Sequence, residues 1–251
     1  MQTEHLTFYH GTGDDAARAI SQSGARDSLF DEIGARALGQ EIRMALLTHA
    51  KVTPNEDFRL HFAFEGLPGS EYSSLWVPAL RELDESRGGS HYSYGQFFAT
   101  LNIANAYRYA IGNPYRSEFI RLIAECLKLL KHLGDSLPQT VASRFPHIQR
   151  AISEPSSPVV LELRGIARTR LLTAKGDDDI DGGLQCFFDM QEFEGFNAPC
   201  DFRVRNVTAG DVVAVHDLRD WPPDEVHDSS WRPDPAKVSQ VRRLAVPHSQ
   251  T

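Results

Sequence analysis

Tyr9-His10-Gly11-Thr12 is the stretch of this sequence best suited to chemistry. A histidine closing a strand stands at a cleft edge. The glycine after it has no Cβ, so a ligand can come close to the backbone there. A second group is Arg164, Arg168 and Arg170 with Arg203 and Arg205. These arginines either border a cleft, meeting a pyrophosphate or a nucleic-acid acceptor, or lie on a solvated strand face. Asp177, Asp179, Asp181 and Gly182 imitate the start of a calcium loop, but the twelfth position is Phe188, where a bidentate glutamate is required. Neither a phosphate-cradling Gly-x-x-x-x-Gly-Lys nor a nucleophile elbow is present.

The elements that must position these residues follow from periodicity and turn chemistry. Leu6–His10 is aromatic and β-branched, which predicts a strand turning at Gly11-Thr12-Gly13. Asp14–Ser23, with acidic residues first and Gly24 just beyond, predicts a helix. Residues 28–50 predict a long helix, interrupted at Gly34 or Gly39, and Leu60–Phe64 a strand. A short helix is expected over Ser74–Leu83. The aromatic stretch Tyr92–Thr100 then precedes a helix over Asn102–Ile111, repeating the strand-then-helix order. Tyr115–Leu133 has the widest apolar stripe and predicts a helix. Val159–Leu163, Phe202–Val207 and Val212–His216 read as strands, so the expected class is α+β. The Pro- and Trp-containing stretch 220–251 reads as an irregular tail behind a domain of residues 1–219.

The chain has 251 residues, 41% hydrophobic and 24% charged, enough for a sizeable core and incompatible with wholesale disorder. Lys plus Arg number 26 against 34 Asp plus Glu, a net charge of −8. That balance excludes a global basic field for holding a phosphate backbone. Cys126, Cys186 and Cys200 fit neither a disulfide framework nor a zinc site. No run of about 18 apolar residues occurs, and the N-terminus lacks both a basic start and an apolar run, so no membrane association and a cytoplasmic location are expected.

Tyr9-His10-Gly11-Thr12, Tyr94-Gly95-Gln96-Phe97-Phe98-Ala99-Thr100 and Ala104–Ala110 together resemble the ADP-ribosyltransferase superfamily. The likeness is to its diphtheria-toxin and poly(ADP-ribose) polymerase branch, whose signature is a histidine, a tyrosine and a glutamate on three strands. The resemblance implies a split, mostly antiparallel β-sandwich around an NAD cleft, with residues 25–90 as a helical insertion. It implies that His10 bonds ribose hydroxyls of NAD, that the backbone of Gly11 holds the nicotinamide carboxamide, and that Thr12 lies in the same site. Phe97 or Phe98 stands at the tyrosine position, and Tyr109 matches the second aromatic against the nicotinamide ring. A phenylalanine keeps the π-face and loses only the hydroxyl.

At the glutamate position the family pattern resembles Asp201-Phe202-Arg203-Val204, with aspartate one methylene shorter. Glu194 and Glu192, just upstream, are the other candidates. The implied activity is mono-ADP-ribosyl transfer from NAD, without a metal, to a macromolecular acceptor, protein or nucleic acid. Small members of the superfamily resemble bacterial toxins, effectors and anti-phage defence proteins, so an antitoxin or other neutralising partner is conceivable. An NAD glycohydrolase, an RNA 2′-phosphotransferase and a silent NAD or ADP-ribose binding module are the competing readings.

Overall fold

A computed structural model of the chain describes residues 3, 5–25, 33–70, 97–154, 156–173, 179–191, 201–221, 238 and 240–244. The fold is α+β. Its strands are β1 (Phe8–Gly13), β2 (Phe98–Thr100), β3 (Pro158–Leu163), β4 (Leu171–Thr173), β5 (Asp201–Val204), β6 (Val212–Asp217) and β7 (Gln240–Arg243). They form one seven-stranded sheet in the order β4-β5-β2-β1-β3-β6-β7, with every neighbouring pair antiparallel. The chain divides into two compact units. One contains the sheet, from residues 1–27, 96–116 and 156–251; the other is residues 28–95 with 117–155. The segment set apart from the sheet is therefore not 25–90 alone but includes the longest apolar-striped helix as well.

In the sheet unit, α1 (Asp14–Ser23) and α8 (Ile180–Gln191) cover one face. Ala17, Ile20, Leu184 and Phe187 are buried there with Phe8, Leu161, Leu163 and Phe202. α4 (Ile103–Gly112) covers the other face, packing Ala106, Tyr107 and Ala110 with Val160, Leu218 and Trp221. Asn102 starts α4 by accepting from the Ala104 N–H at 3.0 Å, which satisfies one of the four orphan donors of a helix start. Arg116 closes it. Its guanidinium donates to the carbonyls of Ala110 and Asn113, each at 2.7 Å, and to that of Ser156 at 3.1 Å.

The helical unit contains α2 (Ala35–Ala50), α3 (Leu60–Ala63), α5 (Glu118–His132), α6 (Leu137–Arg144) and α7 (Pro146–Ser153). α2 begins after Gly34, whose φ of 76° suits glycine, and runs through Gly39 without a break. Its Leu38, Ile42 and Leu46 are fully buried, as are Ile123, Leu129 and Leu130 of α5.

Three expectations need correction. Gly11-Thr12-Gly13 is strand, paired with Val160, Val159 and Pro158, and not a turn. Leu60–Phe64 is a helical turn: Leu60 and Phe64 are buried while Phe62 is 71% exposed, a four-residue spacing that a strand would not give. The tail is not wholly irregular, because Gln240–Arg243 adds β7 to the sheet beside β6. The helix expected over Ser74–Leu83 lies outside the described residues.

Candidate functional site

The site is built where β1 meets β2. β1 shares a six-pair ladder with β3 but only one register pair, Tyr9 with Thr100, with β2. Just past that pair the imidazole of His10 leans across. Its Nδ1 donates to the carbonyl of Phe98 at 2.6 Å, and its ring lies 4.1 Å from the Phe97 ring, tilted by 32°. A carbonyl only accepts, so the proton sits on Nδ1 and Nε2 offers a lone pair. Nε2 has no hydrogen-bond partner among the described residues. Desolvation lowers the His10 pKa from 6.5 to about 4, against the opposing effect of the Phe98 carbonyl. The ring is therefore neutral at pH 7, a hydrogen-bond acceptor for a hydroxyl group.

Strand alternation separates the two phenylalanines. Phe97 stands with His10 on the side of the α1–α8 core, whereas the Phe98 ring lies under the Arg203 guanidinium at 5.6 Å. Gly11 faces α4. A Cβ there would overlap the Ala106 carbonyl oxygen and come within 3.2 Å of the Tyr109 ring. The glycine thus serves close approach of a helix, and that approach sets Tyr109 directly over β1. Thr12 is only 5% exposed, within the sheet opposite Val159, so its hydroxyl is not offered at the surface.

Asp201 pairs with Thr100, which pairs with Tyr9, so one row crosses β5, β2 and β1 and His10 is a single residue from it. Paired residues share a face, which puts Asp201 with Thr100 and Tyr9 on the α4 side. The Thr100 Oγ1 accepts from the Asn102 N–H at 3.1 Å and its hydroxyl bonds the Asp201 carboxylate. Asp201 keeps open surface, yet neighbouring atoms crowd its carboxyl. Desolvation raises its pKa, opposed in part by the Thr100 hydroxyl. Glu194 and Glu192 lie outside the described residues.

Three of the five arginines are held by carboxylates. Arg164 pairs with Glu162 at 2.7 Å, Arg168 with Asp181, and Arg170 with Asp211 at 2.6 Å. Arg170 also donates to the Asn206 carbonyl, so it ties the β5–β6 connection to β4. Among the described residues no group of three or more His, Cys, Asp or Glu could hold a metal ion.

One arrangement escaped the sequence reading. Tyr107 O–H donates to His216 Nδ1 at 2.7 Å, His216 Nε2 donates to Glu162 at 3.2 Å, and Arg164 holds the far oxygen of Glu162. Burial pushes the Tyr107 pKa up, with Tyr9 and Glu162 adding to the rise. This chain anchors α4 to β3 and β6, and hence holds Tyr109 in place. The available signal was a tyrosine and a histidine inside otherwise apolar stripes, at Ile103–Ala110 and Val212–His216. Compared with known protein families, curated proteins and solved structures, the chain matches none of them.

Proposed function

We propose that the protein transfers ADP-ribose from NAD to a nucleophile on a macromolecule, at the point where β1 and β2 part. The observation that carries this reading is the placement of His10, Phe98 and Asp201 on three adjacent strands, β1, β2 and β5, with Phe97 just before β2. On this reading the single β1–β2 pair marks the split between two halves of a sandwich, β4-β5-β2 and β1-β3-β6-β7. His10 and Asp201 are close in register but face opposite sides of the sheet, so the reading rests on their strand positions and on the chemistry of each group. Neutral His10 accepts from a ribose hydroxyl through Nε2, and Tyr109 offers a ring face on the α4 side, where Gly11 itself is buried beneath the helix. Asp201, oriented by Thr100, supplies negative charge to the ribose carbon as its bond to nicotinamide breaks. Nicotinamide leaves neutral with the bonding electron pair. The acceptor then forms the new bond to that carbon and loses its proton.

The test follows adenine-labelled NAD incubated with the protein and cell extract, separated into protein, nucleic-acid and small-molecule fractions. Label on one macromolecular class, absent with His10→Ala, supports the transferase. Label only in free ADP-ribose means a glycohydrolase, and label that stays in NAD means a binding module.

A further inference from the structure

Although the chain is acidic overall, one cavity of the sheet unit is lined by two arginines. It has a volume of about 490 Å³ and lies between α1 and the β6–β7 edge. Its lining among the described residues includes Arg18, Ser21, Gln22, Val212, Arg242 and Leu244, with no carboxylate. Arg18, Ser21 and Gln22 lie three and four apart on α1 and so share one helix face. Arg242 makes no hydrogen bond or ion pair among the described residues; its charge reaches Asp217 only at a distance. Arg18 is held loosely, 3.6 Å from Asp14 and 3.8 Å from Asp15, with 62% of its side chain exposed. Such exposed pairs are weak and leave the guanidinium free to turn. Ser21 Oγ is shut off from solvent and has no hydrogen-bond partner. A buried hydroxyl in that state is costly, and rotation about one side-chain bond relieves it when an acceptor enters the cavity.

We propose that this cavity binds a nucleoside monophosphate, at a site separate from the His10 cleft and independent of the reading given above. The phosphate lies between Arg18 and Arg242, whose planar forks match its oxygens. Val212 and Leu244 form an apolar floor for the base, while Ser21 and Gln22 supply polar contacts at the sugar. The volume falls within the roughly 300–1,000 Å³ usual for small-molecule sites. The negative end of α1, Asp14 and Asp15 beside Arg18, and Asp217 near Arg242 compete with the phosphate, and the loose hold of these carboxylates on the two guanidiniums is what lets them turn to it.

Calorimetric titration with AMP, adenosine and inorganic phosphate tests this, using the wild type and the variants Arg18→Gln, Arg242→Gln and His10→Ala. Wild type and His10→Ala should bind AMP alike, and each arginine variant should weaken AMP by about tenfold or more while melting like the wild type. Inorganic phosphate should compete with AMP, and adenosine should bind far more weakly. The proposal is overturned if AMP does not bind the wild type, if adenosine binds as tightly as AMP, if binding is lost in His10→Ala, or if both arginine variants bind AMP like the wild type.

Discussion

At Asp201, stability and function pull in opposite directions. Desolvation disfavours its charge in the folded state, while the proposed chemistry needs that charge. Asp201→Asn keeps the shape and a polar partner for Thr100 but removes the desolvation cost. The variant should melt at or above the wild-type temperature, and its NAD turnover should fall by roughly a hundredfold or more. His10 gives the matching pH effect. Its folded pKa of about 4 lies below the unfolded value of 6.5, so the unfolded chain takes up the proton first. The stability this histidine confers is complete above about pH 6.5 and is lost as pH falls towards about 4. Urea unfolding at pH 7 and pH 5 should show a smaller acid loss in His10→Phe than in the wild type. That His10 lies on the first strand was legible in the sequence, although the strand runs on to Gly13 and does not end at the histidine. The choice between Phe97 and Phe98 was not, because strand alternation assigns faces only after the pairing is known.

Two contacts hold α4, and both admit direct tests. Gly11→Ala drives a methyl group into the Ala106 carbonyl, which is fixed main chain, and should cost about 2–3 kcal/mol in a denaturant melt. Tyr107→Phe leaves His216 Nδ1 buried without its donor and should cost about 1–3 kcal/mol. Tyr109 lies over β1 only while α4 is so placed, so both variants should also weaken NAD binding. The elements around the site were readable in sequence where amphipathic period and caps agreed, as in α1, α4 and α5. β4, α8 and β7 were not. β4 is three residues long, and β7 is recognisable only through its pairing with β6. Leu60–Phe64 misled because leucine and phenylalanine at every second position imitate a strand when the core that selects among them is unknown.

On the scale of the whole molecule, the sheet unit is assembled from three separate stretches of chain and the helical unit from two. Linear composition does not change at those crossings, which is why the sequence pointed to one insertion and left α5 with the sheet. Each unit has its own buried apolar residues. Leu46→Ala, fully buried in the helical unit, should cost about 2–5 kcal/mol, first visible as faster amide exchange in α2 and α5. The central claim is that His10 acts on NAD, and the most direct measurement is the rate of nicotinamide release from NAD at pH 7.5 by the wild type and by His10→Ala. The account predicts steady release by the wild type, reduced about a hundredfold or more by the substitution, with the fold retained. Equal release by both proteins would contradict it.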